Sequence, residues 1–291
     1  MPTGSGRYQR ITAFTNARAK SKRYPEGLTF PVTDTGPLDG EIVVLLHGFP
    51  QTSKSWLSVS ALLNASGYRT LAFDQRGYPA AARPRGRFAY RIGELVSDVV
   101  ALVDTVGAPV HLVGHDWGAV VAWATAASHP ALVSSLTAVS VPHTRAFLRS
   151  LIGSDQALKS YYMAVFQLPW LPETMLTRAP RLRQRMLQDS GMAADSVRDV
   201  ERDVIATGAL RTAINWYRAI PFATLRYLAP VSVPTTYVWS THDIALGRRG
   251  AELCERYVTG PYRFEITEGS HWIPEEQPEL LHALIVDRIA H

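Results

Sequence analysis

Gly114-His115-Asp116-Trp117-Gly118 places an acidic residue between two glycines, after a run of Val and Leu and before one rich in Ala and Val. Small residues two positions either side of a central residue permit a tight strand-to-helix turn that projects the central side chain outward. In the usual form of this elbow the centre is Ser. A carboxylate in that place can attack an electrophilic carbon and leave an ester on the protein. Two further residues fit such chemistry: Asp243, in Trp239-Ser240-Thr241-His242-Asp243, and His271, in Gly269-Ser270-His271-Trp272, follow in the order nucleophile, acid, His. An imidazole oriented by an acid can activate water, and water can release the ester. Taken singly, Asp116 reads equally as the cap of an ordinary βα loop, Asp243 as a helix cap and His271 as a surface residue. Three such residues in order, each at a strand end, argue against coincidence.

The elements around them supply those strand ends. From residue 40 onward short apolar runs alternate with longer helical patterns, the signature of a mostly parallel sheet flanked by helices. Strands are expected at 42–46, 70–73, 110–113, 132–141, 235–239 and 262–266, and helices at 53–66, 90–106, 118–128, 248–257 and 278–289. From about 143 to 229 the strand pattern lapses and aromatic-rich helical stretches take over, read as a helical cap inserted into an α/β core of 28–142 and 230–291. Loops at the carboxyl ends of parallel strands share one crevice, so Asp116, Asp243 and His271 can converge there.

Composition narrows the class. The chain has 291 residues, 46% hydrophobic and 10% aromatic, enough for one large domain with an insertion. A single cysteine, Cys254, excludes an intrachain disulfide and fits a reducing, cytoplasmic compartment. No apolar stretch follows the basic first residues as a signal-peptide core would, and no run reaches the length of a membrane span, so a soluble protein without a stable membrane anchor is expected. His47, His115 and His242 lack metal-ligand spacing, and neither G-x-G-x-x-G nor a P-loop occurs; no metal and no other cofactor are expected. Lys plus Arg exceed Asp plus Glu by 30 to 25. Six of these cations, Arg7 to Arg23, lie in an N-terminal arm (1–27) that reads as an arm or an irregular edge strand, and others at Arg178, Arg181, Arg183 and Arg185. Neither group joins a nucleic-acid fold, so solvated surface is the expected role.

Several motifs together carry a resemblance: His47-Gly48-Phe49-Pro50 after the first buried strand, Asp74-Gln75-Arg76-Gly77-Tyr78, the elbow, Gly269-Ser270-His271-Trp272, and Ile214-Asn215-Trp216-Tyr217-Arg218 in the cap. On these, residues 28 to 290 resemble an α/β-hydrolase-fold epoxide hydrolase. The resemblance implies a covalent ester on Asp116, water activated by His271 with Asp243, and two cap tyrosines that activate the epoxide oxygen. Tyr217 matches one of these. The other falls in Tyr161-Tyr162-Met163-Ala164-Val165-Phe166-Gln167-Leu168, where spacing favours Tyr162 and Tyr161 is the alternative. Without the triad, these aromatics would read as core. The backbone N–H groups of Phe49 and Trp117 are implied as the oxyanion hole. Phe166, Trp170, Phe222 and Trp272 are expected to line a pocket for an apolar epoxide, the partners being that substrate and water, in a detoxifying role, with a homodimer left open. After Tyr78 the chain has Pro79-Ala80-Ala81-Ala82 where many relatives continue with Gly and a nearby Ser, which bears on substrate shape. A dehalogenase shares the Asp nucleophile, but haloalkane dehalogenases usually have Asn where Phe49 stands and fluoroacetate dehalogenases Arg where Trp117 stands. A non-catalytic receptor of this fold would have no need of all three triad residues.

Overall fold

The computed structural model of the protein describes residues 9–21, 23–24 and 26–291. Its strands are β1 (Ala13–Asn16), β2 (Leu28–Thr35), β3 (Ile42–Leu46), β4 (Arg69–Phe73), β5 (Val110–His115), β6 (Val133–Val139), β7 (Thr235–Ser240) and β8 (Tyr262–Thr267). They form one sheet of order β1-β2-β4-β3-β5-β6-β7-β8. β1, β2 and β4 pair antiparallel, and every pairing from β4 to β8 is parallel. All five residues of β3 are buried: Ile42, Val44 and Leu46 join the core on one face, Val43 and Leu45 the core on the other. A strand covered on both faces is an unbroken apolar run, which is why this one stands out in the sequence.

Helices α1 (Leu57–Ala65), α2 (Ile92–Val106) and α3 (Trp117–Ser128) precede the insertion between β6 and β7. The insertion holds α4 (Thr144–Ser150), α5 (Gln156–Lys159), α6 (Tyr161–Val165), α7 (Leu171–Arg178), α8 (Pro180–Asp189), α9 (Ala194–Val200), α10 (Leu210–Ala213) and α11 (Asn215–Arg218). After it come α12 (Arg248–Leu253), α13 (Ile273–Glu276) and α14 (Pro278–Ala290). α2 and α3 lie on the sheet face of Val44 and Leu46, α1 and α14 on that of Val43 and Leu45. No helix among the described residues is long and apolar enough to cross a membrane.

Part of the basic N-terminal segment belongs to the sheet. β1 pairs Phe14 with Phe30 of β2, the two rings stack at 4.9 Å, and Phe73 meets Phe14 edge-on at 5.1 Å. Of the two readings of 1–27, arm or irregular edge strand, residues 13–16 take the second; Arg7 and Lys22 lie outside the described residues. β2 carries Pro31, which cannot donate to a ladder, and its exposed Pro and Thr positions hide the strand from a search for apolar runs.

The insertion is fastened to the sheet domain at several separated places. Trp216 Nε1 donates to the Arg76 carbonyl (2.8 Å) and Thr212 Oγ1 to that of Gly77 (2.5 Å). Gln156 bridges Ala245 and Gly247, donating to one carbonyl (2.8 Å) and accepting from the other residue's N–H (2.7 Å). Trp272 Nε1 donates to Ser190 Oγ (3.0 Å), and Lys54 pairs with Asp203 (2.8 Å).

Candidate active site

Asp116 sits at the junction of β5 and α3 with φ 51° and ψ −119°, a backbone conformation that L-residues adopt rarely and that marks sites under constraint. The flanking glycines follow from close packing. A Cβ on Gly114 would stand 2.3 Å from the Gly118 carbonyl oxygen, and one on Gly118 2.0 Å from that of Leu46. The turn thus closes only without side chains at either position, and the Asp116 carboxyl is thrust over the carboxyl end of the sheet. There the loop after β3 meets it: Phe49 N–H donates to Asp116 Oδ1 at 2.7 Å. Trp117 opens α3 directly after the carboxylate, so its N–H belongs to the helix's positive end.

His271, beyond β8, and Asp243, beyond β7, complete the cluster. His271 Nδ1 donates to Asp243 Oδ2 at 2.7 Å, and its Nε2 faces Asp116 Oδ2 at 3.6 Å. The other Asp243 oxygen accepts from the N–H groups of Ala245 (2.8 Å) and Leu246 (2.9 Å), which fixes the carboxylate for the imidazole. Burial alone would depress His271, but Asp243 and Asp116 carry it up to about 10. Burial would likewise raise Asp116, yet the facing His271, with the Phe49 N–H, holds it below the ordinary carboxylate value. The His271 ring thus lies between two carboxyl groups, which favour its protonated form.

Side chains that sequence reasoning left without a role hold the His271 loop. His115 Nε2 donates to the His271 carbonyl (2.9 Å), Ser140 Oγ to the same oxygen (3.0 Å), and Ser240 Oγ to the Ser270 carbonyl (2.6 Å). Burial and the charge of His271 push His115 down to about 4, so it serves as a neutral donor. His115 was visible in the elbow motif, but nothing in the sequence identifies the carbonyl it grips 156 residues away.

Across from Asp116 the insertion brings two phenols together. The rings of Tyr162 and Tyr217 lie 5.9 Å apart, and both residues border the space above Asp116. Burial raises both hydroxyls well above the ordinary phenol range, and the charge of Asp116 adds to it. Tyr161, the alternative, is 65% exposed and borders only the second lobe. Phe166 packs edge-on against Tyr217 at 4.9 Å and Gln167 Nε2 donates to the Tyr217 carbonyl at 2.8 Å, so the Phe-Gln pair locks the two tyrosine segments together. Arg218 reinforces the lock, donating to the carbonyls of Phe166 (3.0 Å) and Leu168 (2.5 Å) and pairing with Glu173 (2.5 Å).

The open space around the cluster has two lobes, about 920 and 1150 Å³ including their mouths, which meet at Asp116, Tyr162 and Tyr217. Phe147, Leu148, Val120, Met163 and Ile220 line the first; Phe166, Trp272, Leu187 and His271 border the second. Of the four aromatics expected to line a pocket, Phe166 and Trp272 border this space, and Trp170 and Phe222 do not. Trp170 is 71% exposed at the start of α7, on the outer side of the insertion, and Phe222 meets Phe88 at 4.4 Å, the rings tilted by 42°, beneath the Arg87 guanidinium and lining neither lobe. Their aromatic type suggested a pocket; only the path of the backbone between helices reveals the direction. Among the described residues no group of three or more His, Cys, Asp or Glu side chains could hold a metal ion.

Comparison with known proteins bears on this arrangement. The sequence model of the alpha/beta hydrolase fold matches residues 41–278. The AB hydrolase superfamily protein YfhM of Bacillus subtilis is 34% identical over 269 residues, covering 90% of this chain and 94% of that protein. Epoxide hydrolase 4 of Homo sapiens is 31% identical over 272 residues, covering 89% of this chain and 75% of its own. Among solved structures, epoxide hydrolase A from Mycobacterium thermoresistibile superposes with a TM-score of 0.78 at 26% identity, over 95% of this chain and 96% of that one.

Proposed function

The chain belongs to the α/β-hydrolase-fold epoxide hydrolase family, and from that premise we propose that it opens an apolar epoxide to a vicinal diol through an ester on Asp116. The observation that carries the reading is a carboxylate, not a hydroxyl, at the elbow, facing the phenols of Tyr162 and Tyr217 across a cavity lined mainly by apolar side chains. A serine would form an ether with an opened epoxide, which water could not hydrolyse in this way. In this reading the helical insertion, residues 143–229, acts as a cap on an α/β core.

Asp116 attacks a ring carbon while a phenol gives its proton to the departing oxygen, a contribution of about 10² to 10⁴ in rate. The raised pKa values of Tyr162 and Tyr217 keep both phenols protonated at neutral pH. Esterification removes the charge of Asp116, and with it one of the two carboxylates that hold His271 protonated. His271 therefore loses proton affinity when a base is required, and the proton it releases restores the phenol. Neutral His271, oriented by Asp243, then takes a proton from water as the oxygen attacks the ester carbonyl. The N–H groups of Phe49 and Trp117 hold the resulting oxyanion, each donor worth about 3 kcal/mol. Collapse breaks the bond to the substrate oxygen, which takes the proton of the newly added hydroxyl and leaves as the diol, returning the carboxylate and imidazolium.

One labelling experiment tests the route. In a single turnover in H₂¹⁸O with enzyme in excess, the label enters Asp116 and the diol stays unlabelled, because the oxygen it gains comes from the carboxylate. Label appearing directly in the diol would replace the ester with direct attack by water. A second expectation concerns Gly48, where a Cβ would stand 2.6 Å from Asp116 Oδ1. Gly48→Ala should displace the carboxylate and lower turnover by about 10²-fold, with thermal unfolding near that of the parent. Parental turnover would mean that the carboxylate needs no such clearance.

A further inference from the structure

We infer that the surface groove between the end of β1 and the 84–94 segment is a binding site for a phosphate-type polyanion, separate from the epoxide cavity. Its lining carries Arg18, Lys20, Arg23, Arg85 and Arg91, with Glu94 as its one carboxylate, and Arg76 forms the floor. Arg76 is neutralised by the buried Asp98, which leaves five basic side chains against one carboxylate on the groove surface. Glu94 is engaged by Arg91 (3.1 Å) and Arg76 (3.3 Å). Among the described residues, no carboxylate lies within ion-pair distance of Arg18, Lys20, Arg23 or Arg85. Four cations gathered around one concavity repel one another, and an anion seated among them would relieve that repulsion.

The groove is built on a buried frame. Arg76 makes a two-pronged pair with Asp98 (both 2.7 Å), and Asn16 Nδ2, at the end of β1, donates to the same carboxylate at 2.8 Å. One wall is tied by Tyr24 Oη donating to the Arg83 carbonyl (3.0 Å), the other by Arg76 donating to that of Ala89 (2.8 Å). The guanidinium groups thus project from anchored backbone, and their planar forks match phosphate oxygens two at a time. About 1450 Å³ of open space, with Leu28 and Phe88 on its border, admits several phosphate groups and an adjoining apolar portion. Phosphates of this kind come either from a soluble polyphosphorylated compound or from an anionic lipid headgroup.

Calorimetric titration of the full chain with inorganic tripolyphosphate, at low and at physiological salt, reads the site. We expect saturable one-to-one binding that weakens with salt, and a loss of about tenfold or more in the double variant Arg18→Gln, Arg85→Gln. Arg178→Gln with Arg181→Gln, which removes two cap cations, should bind as the parent does. Co-sedimentation with phosphatidylcholine vesicles containing phosphatidylglycerol separates the sources. Vesicle binding that tripolyphosphate displaces and the groove variant lacks assigns the lipid headgroup; tripolyphosphate binding without vesicle binding assigns a soluble compound. Saturable binding of neither probe, or an equal loss in the cap variant, would overturn the site. Epoxide hydrolysis unchanged in the groove variant shows that it is folded and keeps this outcome independent of the reaction assigned above.

Discussion

His271→Gln should take up one epoxide per chain and then stall. In the proposed route the first step needs an ionised Asp116 and protonated phenols, and neither depends on His271 acting as a base. Without the imidazolium Asp116 loses the group that most lowers its pKa, but the Phe49 N–H still donates to it. In that route the second step has lost its base: Asp243 keeps Oδ1 on the Ala245 and Leu246 N–H groups, and its Oδ2 acts only through the imidazole at 271. Turnover should fall by about 10² to 10⁴. Intact-mass measurement after mixing with excess epoxide should find the chain heavier by one substrate molecule, and peptide mapping should locate the addition at Asp116. Sustained diol formation at the parental rate would remove His271 from the hydrolytic step. Lost activity with no adduct would mean that His271 already serves in ring opening.

Replacing both cap phenols should block the step that His271→Gln leaves intact. Tyr162→Phe or Tyr217→Phe alone leaves one donor over the epoxide oxygen and should slow alkylation by about 10²-fold. The double variant has none, so the alkoxide would have to leave unprotonated in an apolar chamber, where an uncompensated charge is costly. Rapid-quench measurement should find no adduct on the time scale of parental turnover. Both rings retain their packing against Phe166, so the fold should survive. Tyr161→Phe serves as the control: its side chain is largely in solvent, and parental rates are expected. An active double variant would sink the assignment of the acids.

The parallel strands and the elbow were legible because each rests on a local rule. Buried strands read as apolar runs, and Gly114 and Gly118 are glycines because backbone fills the space beside them. The order Asp116, Asp243, His271 was legible because the loops after parallel strands open to one side. What escaped notice depends on pairing over long sequence separations. β2 is interrupted by Pro31 and mixes polar with apolar residues, so only its partners reveal it. The grip of His115 and Ser140 on the His271 carbonyl, and the Arg218–Glu173 pair behind the tyrosines, join residues whose local sequence carries no trace of the partner. Trp170 and Phe222 failed for a related reason: an aromatic side chain announces that it will be covered, but not by what.

The many fastenings between cap and core set a rule of admission. Hinging the insertion open would break, together, the bonds of Trp216 to Arg76, of Gln156 to Ala245 and Gly247, and of Trp272 to Ser190, two of them buried. Traffic is then confined to the fixed mouths of the two lobes, and those mouths act as a sieve. An epoxide too broad for either is refused at the surface, even where the chamber at Asp116 would hold it, so the range of compounds turned over is decided partly by side chains that never touch the reacting ring.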